Sequence, residues 1–277
     1  MRERTAGRPR PPRGNTGRPP GSGGSVSDGP TSPVRPPDPA QVDPSHLAPR
    51  LVQIGQELDE FARAGKRMFA TSSFQSNSLV LLHLLSRLAP HLPVYFLQTG
   101  YHFPETLRFR RRLATELGLD VRDVRSPISR HRQCDSSGRL LFATDPDRCC
   151  HLNKVLPLEP ILAENDVWIS GVRASQSATR AAMGRTATGR RGILRYHPIL
   201  DWTARDVHAY VTAHALPSHP LETEGYLSVG CAPCTRRPMD EPDLGGPEAE
   251  ADGERAGRWA GMQKTECGLH LGDGDTP

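Results

Sequence analysis

The sequence lacks the apolar segments that membrane insertion and secretion require. No run of 18 or more apolar residues occurs in the 277 residues, so we predict no membrane-spanning segment. The beginning of the chain also has no continuous apolar stretch like the core of a secretory signal. We therefore expect a cytoplasmic protein whose cysteines stay reduced.

Large apolar residues are scarce from residue 1 to residue 44, where proline, glycine, serine and arginine dominate. Such a segment cannot bury enough apolar surface to offset the entropy of ordering, so we predict a disordered arm. Prolines throughout the arm also exclude an amphipathic transit peptide. Residues 45–237 have the composition of one globular domain. Residues 238–277 begin as an acidic linker and end as a tail that contains Cys267.

A strong excess of one charge sign is missing as well. The formal net charge is +4, and the arm supplies more base than acid, so the globular part is close to balanced. Domains that bind nucleic acid usually carry a clear basic excess, and we therefore expect no nucleic-acid partner. The sequence does not decide between a monomer and a homo-oligomer.

Between residues 45 and 237, strand-like and helix-like patterns alternate. The predicted strands are 67–70, 93–97, 121–124 and 167–171, and the predicted helices are 47–63, 79–88 and 104–117. This alternation predicts an α/β fold with a doubly wound, mostly parallel sheet. The segment 194–200 leads into one more helix, which either Asp201 or Thr203 caps.

The first two predicted strands end in polar loops, TSSFQSNS at residues 71–78 and QTGYHFPET at residues 98–106. Because ligands of open α/β sheets bind outside the carboxyl ends of strands, both loops point to one crevice. Backbone N–H groups at the helix start, with the hydroxyls of Ser72 and Ser73, suit an anionic ligand. The alternative is that these serines only cap the helix.

A third polar loop, GVRASQSATR at residues 171–180, follows the fourth predicted strand. Its two arginines, Arg173 and Arg180, bracket a run of hydroxyl and amide side chains. A guanidinium group matches the oxygens of phosphate or sulfate in shape and charge. Ordinary surface charge is the alternative interpretation of these two residues.

Four of the six cysteines form two pairs, the adjacent Cys149 and Cys150 and the CAPC motif of Cys231 and Cys234. Four thiolates bind either a tetrahedral zinc ion or a 4Fe-4S cluster. Adjacent cysteines are an awkward chelate for one ion, which favours the cluster. A redox-active CxxC is a weaker third interpretation, because that motif usually follows an early strand. We assign no role to Cys134.

The last cysteine, Cys267, lies in the motif KTECGLH at residues 264–270. A thiol reacts as its thiolate, and a nearby cation lowers the thiol pKa. Lys264 and a protonated His270 are the cations close to it in sequence. Cys267 is therefore our candidate nucleophile, with an incidental surface thiol as the alternative.

Taken together, these motifs closely resemble the assimilatory adenylyl-sulfate reductases, relatives of the phosphoadenylyl-sulfate reductases. The resemblance extends over about residues 50–271 and rests on the two cysteine pairs, PVYFLQTGYHFPET, GVRxxQSxTR and the terminal GRW and KTECGLH motifs. It implies an adenine-nucleotide α-hydrolase-like fold. It also implies thioredoxin-dependent reduction of adenylyl sulfate to sulfite and AMP, through a cysteine S-sulfonate, in sulfate assimilation toward cysteine.

The resemblance also implies roles for individual residues. Cys267 corresponds to the catalytic nucleophile, and Lys154 corresponds to a lysine between cluster and substrate. The implied ligands of a 4Fe-4S cluster are Cys149, Cys150, Cys231 and Cys234. The implied substrate-binding residues are Arg173, Arg255 and Arg258 for phosphate and sulfate, and Ser72, Ser73, Thr99 and Gly100 in the nucleotide-binding loops. Burying these cations without an anion is costly, so we expect the tail to close when substrate binds.

Three positions depart from the family pattern, because Asn77, Ser78 and Gln98 stand where relatives often carry carboxylates. A role that needs negative charge there is therefore in doubt. A phosphoadenylyl-sulfate reductase remains the alternative, although relatives with the cluster prefer the nucleotide without the 3'-phosphate. An ATP pyrophosphatase is less favoured, because the serine turn lacks the SGGxDS glycines and aspartate. A zinc-stapled binding module with an idle Cys267 is the non-enzymatic alternative.

Overall fold

The computed structural model describes residues 44–237, 253–255, 257–259, 262, 264 and 266–270. The predicted disordered arm, apart from residue 44, and the acidic part of the predicted linker lie outside the described residues. The three-part division of the chain therefore stays a prediction.

Six strands form one sheet in the order β3-β2-β1-β4-β6-β5. They are β1 (Met68–Thr71), β2 (Val94–Leu97), β3 (Val121–Val124), β4 (Val167–Ser170), β5 (Thr186–Thr188) and β6 (Leu194–Tyr196). Within the described part of the chain, β5 pairs antiparallel with β6, and the other strand pairs of this sheet are parallel. The predicted doubly wound α/β fold is confirmed. The sequence did not predict β5, a three-residue strand whose residues are all exposed and carry no apolar alternation.

Helices cover both faces of the sheet. They are α1 (Ala48–Arg63), α2 (Ser76–Leu88), α3 (Pro104–Glu116), α4 (Leu141–Thr144), α5 (Pro146–Cys150), α6 (Leu156–Glu164), α7 (Ala178–Ala181) and α8 (Ala204–Ala213). Short 3-10 turns lie at Ser45–Leu47, Arg130–Arg132, Ala174–Gln176, Arg190–Gly192, Pro220–Glu222, Ala232–Cys234 and Gly253–Arg255. Thr203 caps α8 with a reciprocal hydrogen bond to Asp206, which decides between the two predicted caps.

Alternate residues of the central strands pack into two separate cores. Ala70 and Ile169 point to the larger core, which α2 covers with its apolar residues. Phe69 and Trp168 point to the opposite core, where Leu158 of α6 packs against them. The central strands are therefore buried on both faces, as expected for a parallel sheet between helices.

The chain reverses its direction of winding between β1 and β4, which are neighbours in the sheet. Strands β2 and β3 extend from one side of β1, and the chain then returns to place β4 on the other side. The loops at the carboxyl ends of β1 and β4 consequently diverge and leave a crevice between them. The predicted ligand crevice lies at this position.

A π-helical turn, His151–Val155, joins α5 to α6 directly after the adjacent cysteines. Pro157 and Pro160 lack the backbone N–H that a regular α-helix would donate to the carbonyl four residues earlier. The wider π turn is typical of functional sites. Here Cys149, Cys150 and Lys154 all border the same internal chamber.

Along the described part of the chain, no helix combines the length and the apolar character needed to cross a membrane.

Candidate active site

A deep cleft opens at the carboxyl ends of β1 and β4. It encloses about 1100 Å³ of space, its open mouth included, which is enough for a nucleotide-sized ligand. Its walls come from the serine turn after β1, the loop after β4, residues 228–231 and the tail. Of the predicted site residues, Ser72, Ser73, Lys154, Cys231, Arg255, Arg258 and Cys267 line it.

The serine turn is held in a strained conformation. Phe74 is fully buried and has a φ of 54°, a left-handed conformation that large side chains rarely adopt. Its ring packs edge to face against Phe96, 5.7 Å away between centroids, and its N–H donates to the Ser72 hydroxyl at 3.1 Å. Such strain is typical of functional loops. The binding roles of Ser72 and Ser73 stay predictions.

Thr99 and Gly100 lie beside the cleft and not on its wall. The Thr99 hydroxyl is 3.3 Å from the Cys231 sulfur, and Thr99 borders the cysteine chamber. Gly100 lines a separate shallow pocket, where its carbonyl accepts a hydrogen bond from Arg130 at 2.7 Å. Their predicted contact with the nucleotide therefore finds no support in this geometry.

The four paired cysteines meet at the internal chamber behind the cleft. Cys149 and Cys150 come from the end of α5, and Cys231 and Cys234 come from the CAPC loop. The Tyr101 carbonyl accepts the N–H of Ala232 at 2.7 Å and ties that loop to the end of β2. All six cysteines are free thiols.

The chamber brings the four paired thiols to one enclosed space. Burial, together with the charges of Cys231 and Cys234, raises the pKa of Cys149 to about 11. Thiolates that are buried close together need a compensating positive charge. Four cysteine thiolates are the ligand set of a 4Fe-4S cluster. Among the described residues, no three His, Cys, Asp or Glu side chains are grouped to hold a single metal ion. A buried Tyr101 hydroxyl oxygen on the chamber wall also has no hydrogen-bond partner among them.

Cys267 lies on the cleft wall with the Lys154 ammonium 3.6 Å from its sulfur. Its pKa is held well below the ordinary value, first by a hydrogen bond with the Cys150 thiol and then, against the cost of burial, by the charge of Lys154. The sequence had suggested Lys264 and His270 as the neighbouring cations, and this was wrong. Lys264 pairs with Asp147, and burial holds the pKa of His270 so low that its ring is neutral.

Lys154 borders both the chamber and the cleft. Burial lowers its pKa, but the charges of Cys267, Cys150 and Cys231 outweigh burial and raise it above the ordinary value. The side chain is therefore a permanent cation between the cysteine chamber and Cys267.

The structure separates the two arginines of the loop after β4. Arg173 is fully buried and pairs with Glu254, and it is not on the cleft wall. Arg180 lies on that wall, because Ser177 caps the short helix α7 and turns the next residues toward the cleft. The loop pattern pointed to both arginines, and the family resemblance assigned a substrate role to Arg173. This geometry gives no support for that role.

Trp259 was not identified from the sequence as a residue of the site. Its ring is buried, and the charged ends of Arg255, Arg258 and Lys264 lie 4.9, 4.5 and 5.8 Å from its centroid. An aromatic face attracts cations, so the ring gathers the positive charges of the tail. The GRW motif, in which Trp259 directly follows Arg258, was the sequence feature that could have indicated this contact.

Gly230 makes room for one of these cations. A Cβ at that position would lie 2.4 Å from the Arg258 guanidinium carbon. Any side chain there would displace Arg258 from the cleft.

Comparison with known proteins agrees with this geometry. Residues 67–237 match the phosphoadenosine phosphosulfate reductase domain family. The chain is 42% identical to the adenosine 5'-phosphosulfate reductase of Streptomyces coelicolor, over 74% of this chain and 83% of that protein. It is 37% identical to the phosphoadenosine 5'-phosphosulfate reductase of Gloeobacter violaceus, over 81% and 92%. The solved phosphoadenylyl-sulfate reductase from Candida auris superposes with a TM-score of 0.56 and 25% identity, over 69% and 95%.

Sheet order, the cleft at the switch point and the thiol on its wall define an enzyme of the adenine-nucleotide α-hydrolase-like class. Within that class, the chain belongs to the phosphoadenosine phosphosulfate reductase family.

The buried position of Arg173 gives the first prediction. Arg173→Gln leaves Glu254 with the hydrogen bond from the Ser175 hydroxyl but without its buried counter-ion. The free energy of unfolding, measured by urea denaturation, should fall by about 3–5 kcal/mol. Arg191→Gln is the control, because Arg191 is 55% exposed in its pair with Glu159, and its loss should cost less than about 1 kcal/mol. If Arg173→Gln unfolds like the unmodified protein but no longer binds AMP, Arg173 is a substrate residue and its placement here is wrong.

Proposed function

We propose that this protein reduces adenylyl sulfate to sulfite and AMP, with a cysteine S-sulfonate as intermediate and thioredoxin as the external dithiol. The observation that carries the proposal is the Cys267 thiol on the cleft wall, 3.6 Å from the Lys154 ammonium. The nucleotide enters the crevice at the carboxyl ends of β1 and β4. The names of the relatives from Streptomyces coelicolor and Gloeobacter violaceus support the same substrate class.

In the first step, the Cys267 thiolate attacks the sulfur of adenylyl sulfate. A sulfur–sulfur bond forms, the bond from that sulfur to the phosphate oxygen breaks, and the electron pair leaves with AMP. Negative charge accumulates because an anion approaches an anion. Lys154 and Arg258 lie on the same cleft wall, and each hydrogen bond from such a cation is worth about 1.5–3 kcal/mol.

In the second step, a thioredoxin thiolate attacks the Cys267 sulfur and displaces sulfite. The mixed disulfide is then resolved by the second thioredoxin thiol, which regenerates the Cys267 thiol. The dithiol supplies both electrons, so the reaction balances without another reductant. Of the described cysteines, Cys150 contacts Cys267, but we assign it to the metal site, and an external dithiol is therefore required.

We further propose that Cys149, Cys150, Cys231 and Cys234 hold one 4Fe-4S cluster. The support is the four-thiol donor set around one chamber, where burial and then the neighbouring cysteine charges raise the pKa values of Cys149 and Cys234. When bound, the cluster supplies structural and electrostatic stabilisation, since the thiols carry the electrons. Lys154 is the residue of this chain that borders both sites.

A phosphoadenylyl-sulfate reductase is the second candidate, because relatives of both names match the chain. The four cysteines favour adenylyl sulfate, and kcat/KM for the two nucleotides decides between them. Family membership argues against an ATP pyrophosphatase and against a zinc-stapled binding module. We place the reaction in the cytoplasm, where free thiols persist.

The covalent step gives the second prediction. Intact protein mixed with adenylyl sulfate, without a reductant, should gain the mass of one sulfo group, and a Cys267→Ser variant should gain none. Cys134→Ser is the matched control, because Cys134 lies on a separate hairpin with Leu140, and it should gain the group like the unmodified protein. Labelling that persists in Cys267→Ser would assign the nucleophile to another residue.

The cysteine chamber gives the third prediction. Anaerobically purified protein should be brown and contain iron and acid-labile sulfide in equal amounts, because a 4Fe-4S cubane contains as many inorganic sulfides as irons. Cys234→Ser should lose both, whereas Cys134→Ser should keep both. A colourless protein that contains zinc and no sulfide would rule out the cluster.

A further inference from the structure

Glu266, the residue before the nucleophile, places a carboxylate inside the cleft wall. It is 2% exposed, and its charge is surrounded by donors. Arg180 donates to it from Nε at 3.0 Å and from Nη2 at 3.1 Å, Arg255 donates from Nη1 at 2.5 Å, and the Ser177 hydroxyl donates at 3.1 Å. The backbone N–H of Cys267 donates at 2.7 Å to Oε1, the same carboxylate oxygen that accepts Arg180 Nη2.

The two arginines need this negative charge. Burial lowers the pKa of Arg180, and the neighbouring charge of Arg255 lowers it further, because two buried guanidinium groups repel each other. Burial alone would raise the pKa of Glu266, but Arg180 and Arg255 hold it well below the ordinary value. One carboxylate therefore compensates two cations, and the chain itself supplies the anion.

The contact has the geometry of oxyanion recognition. Arg180 presents two parallel N–H groups to the two carboxylate oxygens of Glu266, which is how arginine also binds sulfate and phosphate. Arg180 and Arg255 both line the cleft. Arg258 lies on the same wall, and its buried Nε has no hydrogen-bond partner within the described part of the chain. This N–H can therefore donate to a ligand without first releasing a carboxylate.

We propose that Glu266 is a positioning residue that stands in for the anionic group of the substrate: its carboxylate occupies Arg180 and Arg255, holds Cys267 against the cleft wall, and is displaced when the substrate binds these arginines. The inference rests on the proposed function for the identity of the ligand. Its consequence is that the tail does not depend on substrate for its counter-charge. Our expectation that the tail closes only on substrate binding is therefore revised to an exchange of one anion for another.

The test uses AMP binding and the reactivity of Cys267 in the full-length, cluster-loaded protein. Glu266→Gln keeps the shape of the side chain and removes its charge. AMP should then bind at least about fivefold more tightly by calorimetry, the lower end of typical coupling between two ligands, because the competing anion is gone. Iodoacetamide should also label Cys267 faster, because the tail has lost its anchor.

The matched control is Glu254→Gln, since Glu254 also lies in the tail but pairs with Arg173, which is not on the cleft wall. AMP affinity should not change in that variant. Glu266→Asp retains the charge and should restore affinity and labelling toward those of the unmodified protein. Unchanged iron content in every variant shows that the fold is intact.

If Glu266→Gln binds AMP with unchanged or weaker affinity, the carboxylate does not compete with the ligand and the inference is wrong. This result is distinct from failure of the proposed function, which would appear as an unmodified protein that takes no sulfo group from adenylyl sulfate. AMP binding and iodoacetamide labelling do not require turnover.

Discussion

The buried ammonium of Lys154 is the interaction on which the site depends. It lies between four crowded thiols and the Cys267 sulfur, and the sulfur charges keep it protonated despite burial. The dependence is mutual, because a thiolate buried without a cation would be strongly destabilised. Nucleophile, lysine and cysteine chamber are therefore one electrostatic unit.

The fold brings this unit together from distant parts of the chain. The reversal of winding between β1 and β4 opens the cleft, and the π turn directs Lys154 and the adjacent cysteines to one side. The tail then places Cys267 and two arginines over the opening, where Trp259 gathers their charges. Arg180 and Arg255, two cations of this cleft, are neutralised by the carboxylate of Glu266.

Local patterns in the sequence predicted strands β1 to β4, helices α1, α2, α3 and α8, and the crevice. They work because buried parallel strands are short apolar runs and because polar loops follow their carboxyl ends. The strand β5 was not predicted, because its three exposed residues, Thr186–Thr188, show no apolar alternation. The positions of the site side chains depend on tertiary packing, which local sequence patterns do not encode. Arg173 is buried against Glu254, whereas Arg180 lines the cleft. Lys154, far from Cys267 in sequence, took the place beside the thiol that sequence proximity suggested for Lys264.

The central claim is that the sulfo group is transferred to the protein before any reductant acts. The most direct measurement is rapid mixing of cluster-loaded protein with adenylyl sulfate in the absence of thiols, with AMP and sulfite followed separately. The account predicts a burst of one AMP per chain and no sulfite until thioredoxin is added. Release of AMP only after the dithiol arrives would mean that thioredoxin attacks the nucleotide directly, and would contradict it.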